Sequence, residues 1–413
     1  MARRRSVPGI RSIAWARGSG AAHLPTRSWL LAGRSLAGGA VVTGLVLLAG
    51  SVPASAQALT WSVVSSPDRG TSRNILQGVS CNSATSCTAV GYYYTGSRVS
   101  RGLIESWNGT RWSLVPSPQP GGDDFLQGVS CTSAARCTAV GVNFVNPPNA
   151  TLVESWNGTR WSVTPNPSPG SELLGVSCVS PTACTAVGDR LNSQGYYQTL
   201  TELWNGTTWS TVPSPDIGHG TNENFLSGVS CVSAAACTAV GQYGVAGSAP
   251  LIESWNGRNW TIVPGINRNN SGVLNGVSCA SLTSCVAVGT YFSGPDVVNK
   301  TLTESWDGTR WSAGPSPKGQ SQLFGASCFS ATDCWAAGNS WAQAGNTRTF
   351  IEHWNGTRWA AVPTPNAGPA SYYNNPRAVS CASARTCAAV GNYGNYGLNG
   401  LSKTLAMIGA SGS

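Results

Sequence analysis

The stretch Leu126 to Gly141, L-Q-G-V-S-C-T-S-A-A-R-C-T-A-V-G, and its continuation Thr151 to Pro169, T-L-V-E-S-W-N-G-T-R-W-S-V-T-P-N-P-S-P, form the unit from which the chain is built. All 14 cysteines and all but four of the 17 tryptophans belong to copies of it. The period therefore has to be found before any local reading is made. The cysteines fall in seven pairs, Cys81/Cys87, Cys131/Cys137, Cys178/Cys184, Cys231/Cys237, Cys279/Cys285, Cys328/Cys334 and Cys381/Cys387. Five residues separate the members of each pair, and first cysteines recur on average every 50 residues.

Within each copy four short strands are expected. G-V-S-C and C-T-A-V-G flank the cysteine loop and read as a hairpin. T-L-x-E-S-W and T-x-W-S-x-V flank Asn-Gly, as at Asn108-Gly109, or Asp-Gly at Asp307-Gly308. Asn-Gly between alternating apolar runs signals a hairpin, because a type I′ turn needs positive φ at both central residues. Such a two-residue turn sets Trp107 opposite Thr110 and Glu105 opposite Trp112, with both tryptophans on one side of the hairpin. The Asn-Gly-Thr triplets also match the N-glycosylation sequon; the turn is taken as their cause.

Four antiparallel strands per repeat, repeated seven times, predict an all-β, seven-bladed β-propeller. The last copy stops after a third strand at Thr404–Ile408, and the missing fourth strand stands at the other end of the chain as Leu59 to Val64, L-T-W-S-V-V. The N-terminal strand is expected to complete the last blade and so remove an open sheet edge. An open solenoid would instead carry unmatched, capped ends.

Residues 1–56 hold seven arginines and no acidic residue, then an apolar run from Leu36 to Val52, then Ala54-Ser55-Ala56. These are the marks of a secretory signal peptide cleaved before Gln57, which leaves residues 57–413 as the propeller domain, secreted to the extracellular space or the cell wall. An uncleaved membrane anchor is the alternative, since the apolar run approaches the roughly 18 residues that span a bilayer. Without residues 1–56, which hold seven of the 25 basic residues and none of the 16 acidic ones, the balance is +2. Net charge thus gives no support to nucleic-acid or membrane partners. In an exported chain, an even cysteine count at fixed spacing reads as disulfides, one joining each near pair. Zinc is the weaker alternative, since only His219 and His353 remain as further ligands outside residues 1–56. Each short loop closed this way contributes about 2 kcal/mol in the chain-entropy model.

The pattern V-S-C-x-S-x-x-x-C-x-A-V-G followed by W-N-G-T-x-W resembles a group of secreted bacterial propeller-repeat proteins. More distantly it is similar to the Asp-box, or BNR, repeats of sialidase-like and photosystem-assembly-factor-like propellers, in which a strand ending in A-V-G precedes a D-G-G-x-T-W hairpin. The resemblance runs from Leu59 to the C-terminus and implies the propeller fold. Asn-Gly-Thr replaces most of the Asp-box turn, and the cysteine pair is an addition. A sialidase site would further demand an arginine cluster and a Tyr–Glu nucleophile pair, and no sialidase arginine motif precedes the repeats.

The alternation of strand direction puts the cysteine hairpins and Asn-Gly turns at one end of every blade, and there the spacings never vary. At the other end they do: the A-V-G glycine stands 10 to 14 residues before the Leu or Phe of the third strand. All 11 tyrosines lie in these variable segments, with Phe144, Phe292 and Trp341. Loops on a rigid scaffold are where binding groups gather, and tyrosine suits recognition of sugars or proteins. Tyr94, Tyr196, Tyr197, Tyr396, Trp341 and Phe144 are the candidate ligand-binding residues. Tyr93, Tyr243, Tyr291 and Tyr393 recur two residues after the A-V-G glycine and either bind or simply finish the second strand.

Six of the eight glutamates, Glu105, Glu154, Glu202, Glu253, Glu304 and Glu352, occupy one repeat position and are assigned to the blade. No catalytic residue, metal or cofactor is expected: a His-based triad has too few histidines, and no phosphate-binding glycine loop is present. The expected function is a secreted, monomeric, non-catalytic binding module for a glycan or, second, a protein. The alternatives are a glycoside hydrolase or lyase using Asp123, Asp124 or Asp189, which would need two carboxylates flanking one bond, and a structural scaffold at the cell surface.

Overall fold

The computed structural model describes residues 59–411 apart from 71, 97–98, 145–148, 167, 219–221, 245–247, 267–270, 294–297, 318, 343–345 and 396–400. Residues 1–56, assigned above to a signal peptide, lie outside the described residues. The described chain forms seven four-stranded antiparallel sheets, each a blade of a β-propeller. Blade 1 comprises Asn74–Ser83, Ser86–Tyr94, Ser100–Trp107 and Trp112–Val115. Five more blades follow in the same order, with first strands at Asp123–Ser133, Ser171–Ser180, Glu223–Ser233, Gly272–Ser281 and Ser321–Ser330. Blade 7 takes Tyr373–Ser383, Thr386–Gly394 and Ser402–Ala410 from the C-terminal end and Thr60–Val64 from the N-terminal end. Thr60 pairs with Ala410 and Val64 with Ala406, so the expected closure is present.

Each sheet is apolar on both faces because each packs between two others. Val90 and Ile104 of blade 1 face forward onto Leu126, Val129, Ala139, Leu152 and Trp161 of blade 2. Leu76, Ala89, Leu103, Trp107 and Trp112 face back onto Val390 and Ala406 of blade 7. Burial of this kind, repeated at every interface, is the main stabilising term of the ring.

The first strands surround the axis, and two glycine positions of the repeat make that possible. The glycine of G-V-S-C sits where neighbouring first strands meet. A Cβ on Gly78 would lie 3.0 Å from the Gln127 carbonyl oxygen, and one on Gly175 would lie 3.0 Å from the Gly228 Cα. The A-V-G glycine sits opposite a β-bulge: Gln127 is unpaired between Leu126 and Gly128, and the bulge carries the first strand onto Gly141. A Cβ on Gly141 would lie 1.9 Å from the Phe125 carbonyl oxygen.

The serine of V-S-C closes a second ring. The hydroxyl of Ser80 accepts from the backbone N–H of Cys131 in the next blade, and the pattern continues around all seven blades until Ser380 accepts from Cys81, at 2.9–3.0 Å throughout.

All seven expected disulfides are formed: Cys81–Cys87, Cys131–Cys137, Cys178–Cys184, Cys231–Cys237, Cys279–Cys285, Cys328–Cys334 and Cys381–Cys387. Each joins directly paired residues of the hairpin, as Cys131 and Cys137 show. The second member of each pair also packs into the core. Cys87, Cys184, Cys334 and Cys387 are buried, as are Cys137, Cys237 and Cys285, and all seven are packed into the cores between blades. Strand alternation is the reason. Cys87 stands two residues before Ala89, shares its face of the sheet and joins the same core. The first cysteines are only partly buried at the edges of those cores. Cys87, Cys184, Cys334 and Cys387 thus belong to the scaffold as apolar packing as well as cross-links, and not to a ligand site.

The Asn-Gly turn also differs from the expectation. Trp107 pairs with Trp112 and Glu105 with Leu114, so the loop has four residues, Asn108 to Arg111, rather than two. The Asn108 side-chain oxygen accepts from the N–H of Thr110 and of Arg111 and from the Thr110 hydroxyl. This side-chain cap stabilises the wider turn, with Gly109 at φ +96°. Both tryptophans still share a face and are now direct cross-strand partners, 5.6 Å apart.

Candidate functional site

At the cysteine end the repeated side chains are engaged by the scaffold. The first tryptophan of each pair donates its indole N–H to a carbonyl in the cysteine hairpin of its own blade, as Trp107 does to Ala84, at 3.0–3.2 Å in six blades. Blade 7 has Gly409 where that tryptophan would stand, with the Trp61 ring against it. Trp335 of blade 6, which replaces the usual Thr of C-T-A-V-G, fills the remaining space and meets Trp61 edge-on at 5.7 Å. An apolar crevice of about 130 Å³ between blades 4 and 5, lined in part by Trp255, Leu282, Trp306 and Trp311, is built largely of the same repeat positions. It is smaller than the roughly 300 Å³ at which ligand pockets begin.

The repeated glutamates latch neighbouring blades together. Each is fully buried, and five of the six accept from the segment that leaves the preceding blade. Ser66 donates to Glu105 at 2.8 Å, Ser117 to Glu154 at 3.0 Å, Ser214 to Glu253 at 2.5 Å, and the Ile266 N–H to Glu304 at 3.0 Å. Asn166 and Ser168 both donate to Glu202, while the Glu352 carboxyl is buried without a hydrogen bond from the described residues. Burial pushes Glu105, Glu154, Glu253 and Glu352 up to about 8, with a nearby serine hydroxyl opposing it in each. These carboxyls are assigned to the scaffold, as expected from their repetition.

At the opposite end the repeat loses its uniformity. One residue on each first strand, two before the bulge, faces one residue on the second strand. Around the ring the pairs are Ile75/Tyr92, Phe125/Val142, Glu172/Asp189, Phe225/Gln242, Val273/Thr290, Gln322/Asn339 and Asn375/Asn392. The bulge residues beneath them are equally varied, from Leu174 to Arg377, whose guanidinium lies 5.3 Å from the Phe324 ring centroid. Blade geometry dictates neither set, and both ring the axis at the variable end.

The structure brings some of the sequence-predicted residues together and leaves others apart. Tyr94 and Phe144 end the second strands of blades 1 and 2, and Phe125 joins them, at 6.3 Å from Tyr94 and 5.5 Å from Phe144. Tyr92 completes this cluster at 4.7 Å from Phe125. Burial raises the Tyr92 and Tyr94 hydroxyls above their ordinary range, and the nearby Tyr94 adds to the effect on Tyr92. Tyr197 opens the third strand of blade 3 and lies 5.0 Å from Phe225 of blade 4. Tyr196, beside it, is half-buried, and Trp341 ends the second strand of blade 6 apart from both clusters. Tyr396 lies outside the described residues. Tyr93, Tyr243, Tyr291 and Tyr393 pack, partly buried, against the inter-blade cores. Phe125 and Phe225 were missed by sequence reasoning. The signal was available, since both immediately precede the leucine that opens the repeat.

The loop carboxylates separate into two kinds. Asp123 accepts from the Ser100 N–H at 2.6 Å and from its hydroxyl at 3.0 Å. Asp124 is fully buried, accepts from Asn143 and stands 3.8 Å from the Arg101 guanidinium. Burial pushes Asp124 up to about 6 against those two favourable contacts. Asp68 and Asp216 cap third strands by accepting from Thr404 and Thr199. Asp189 is different: it is buried, lies directly opposite Glu172, and accepts no hydrogen bond from the described residues. Burial first and the Glu172 charge second raise it well above the carboxylate range. Among the described residues, no three of His, Cys, Asp and Glu converge as metal donors.

No family model matches the chain, and no curated protein matches it. Among solved structures, YCF48 bound to D1 peptide aligns over 86% of this chain and 97% of its own, at 11% identity with a TM-score of 0.51. YCF48 from Cyanidioschyzon merolae aligns over 85% and 98%, at 13% identity and 0.50. The six-bladed fungal lectin from Aleuria aurantia aligns over 73% and 97%, at 13% identity and 0.45. The YCF48 similarities, at this identity, are similarities of fold.

Proposed function

We propose that the chain is an exported, non-catalytic binding module that holds a glycan at the variable end of the propeller. The observation that carries this reading is the divergence of the seven inner-strand pairs on a scaffold that otherwise repeats its contacts. Side chains that differ from blade to blade are found where a ligand could lie across several blades at once. The Tyr92–Tyr94–Phe125–Phe144 cluster offers aromatic surface to the apolar faces of sugar rings, and the partly buried amides of Gln242 and Gln322 offer hydrogen bonds to hydroxyls. Seven disulfides with no free cysteine among the described residues suit an oxidising, extracellular setting.

A hydrolase is the weaker reading, because Asp123 and Asp124 are engaged in holding blade 1 against blade 2. A peptide ligand is the second reading, since the YCF48 structure of similar fold is described as bound to a peptide. The test is a glycan and cell-wall polysaccharide array probed with the oxidised protein and read for both retention and substrate loss. Retention without loss, diminished by joint substitution of Tyr94, Tyr196, Tyr197 and Tyr396, supports the reading. Substrate loss that disappears on Asp→Asn substitution would replace it with the hydrolase.

A further inference from the structure

Blade 3 departs from its neighbours in charge. At the one pair that stands two residues before the bulge, none of the other six blades carries an acidic residue, whereas blade 3 carries two, Glu172 and Asp189. Like charges directly opposite on one face of a sheet destabilise it. Asp189 is 4% exposed and hydrogen-bonded to none of the described residues, although buried carboxylates are ordinarily paired. Contacts within the scaffold give no reason for this arrangement. The ion pairs among the described residues involve Asp124, Asp307 and Asp333, so neither Glu172 nor Asp189 is neutralised that way.

Aromatic rings stand beside the pair. Tyr197 lies on the same sheet face, since its partner Leu191 is two residues beyond Asp189, and its ring is 5.0 Å from that of Phe225. Burial raises the Tyr197 hydroxyl, and the charges of Asp189, Glu172 and Glu223 add to the effect. We propose that the Glu172–Asp189 pair, with Tyr197 and Phe225 at its rim, is a subsite for a protonated amine carried by the ligand. An ammonium group favours ionisation of both carboxyls, which burial and their mutual repulsion otherwise oppose, and supplies N–H donors for their unused lone pairs. Its neighbouring carbons meet the ring faces, where a cation is attracted as well. The proposal rests on the variable end being the binding face; with a glycan there, the amine belongs to an unacetylated amino sugar.

The test compares a glucosamine hexamer, its N-acetylated counterpart and a hexalysine peptide by calorimetry, on the wild-type protein and on E172Q/D189N, with folding of the variant checked by thermal unfolding. The wild type is expected to bind the glucosamine hexamer about tenfold or more tighter than the acetylated one. That preference should disappear in the variant. Equal affinities for the two sugars, or a preference that survives E172Q/D189N, overturns the subsite and leaves the glycan reading standing. If neither sugar binds but hexalysine does, and the variant loses it, the amine subsite stands and the glycan reading falls. Failure of all three probes overturns the subsite.

Discussion

The two ends of this propeller are made of the same repeat and have been put to different use. At the cysteine end, serine, glycine, cysteine and tryptophan recur from blade to blade and hold the scaffold together: the serine hydroxyl accepts from the next blade's N–H, and the indole N–H of the first tryptophan of a pair closes on the hairpin carbonyl. At the variable end the same strands carry Phe125 in one blade, Glu172 in the next and Asn375 in another, although the backbone register is equivalent. A repeat held uniform at one end supplies rigidity. Variation at the other end can then change recognition without changing the fold, the division of labour expected when binding groups are mounted on a stiff frame.

The strongest way to break the comparison is to disturb a uniform position near the axis. Gly141→Ala places a Cβ 1.9 Å from the Phe125 carbonyl oxygen, a backbone contact that no rotamer change relieves. A loss of about 4 kcal/mol or more is expected, enough to prevent recovery of folded protein. Thermal unfolding and soluble yield measure it. A Gly141→Ala protein that melts like the wild type would show that the inner strands are not packed as described.

The second test concerns the buried glutamates. Their folded carboxyls stand at about 8 for Glu105, Glu154, Glu253 and Glu352, against an ordinary value of 4.5. The folded state therefore holds protons that the unfolded chain has released between these values, and their contribution is fully present below pH 4.5. It is lost as pH rises to about 8. The melting temperature is expected to fall steadily between pH 5 and pH 9. The quadruple variant E105Q/E154Q/E253Q/E352Q should show a much flatter profile, since an amide keeps the hydrogen-bonding shape without titrating. An unchanged slope in that variant would place the pH dependence elsewhere.

How much of this was legible in the sequence follows the same division. Period, blade count, disulfide pairing and the closing strand Thr60–Val64 were readable because each is local or repeats. That Cys87, Cys184, Cys334 and Cys387 are core residues as well as bridges was not, because the spacing shows which cysteines meet but not which face they share with the inter-blade core. The latch between Ser117 and Glu154 was only half readable: repetition assigned the glutamate to the blade, but its partner is 37 residues away in the neighbouring blade. The Asn-Gly turn was misread as a two-residue loop because the pattern shows the turn residues, not the side-chain cap of Asn108 that widens it. At the variable end the tyrosines were found by composition. Phe125 and the opposition of Glu172 to Asp189 depend on register across a bulge, and motif spacing does not reveal that. Sequence reading is strongest where the repeat constrains the chain and weakest where it releases it.

A smaller effect is expected in the serine ring. Ser130→Ala removes the acceptor for the Cys178 N–H and leaves that donor partly buried, a cost of about 1 to 2 kcal/mol. Denaturant unfolding should show a lower midpoint with an unchanged m-value, because the ring still closes through six other contacts. A cost well above this would mean that ring closure is cooperative rather than a sum of separate hydrogen bonds.

The smallest stability effect belongs to Tyr94, and there the comparison is sharpest. Its ring is half-buried at the end of a strand. It touches Tyr92 and Phe125 edge-on at 5.8 and 6.3 Å rather than filling the core between blades. Tyr94→Ala should cost about 0.5 kcal/mol, the range of a substitution outside the core. Under the binding reading the same change should weaken ligand retention by about tenfold, since an aromatic platform contributes on the order of a kcal/mol beyond the area it covers. Measured side by side, Ser130→Ala and Tyr94→Ala should exchange rank: the serine variant loses stability and keeps binding, and the tyrosine variant does the reverse. If Tyr94→Ala destabilises the protein as much as Ser130→Ala and leaves binding untouched, the aromatic cluster belongs to the scaffold. Recognition would then have to be sought among the other divergent positions of the inner strands instead.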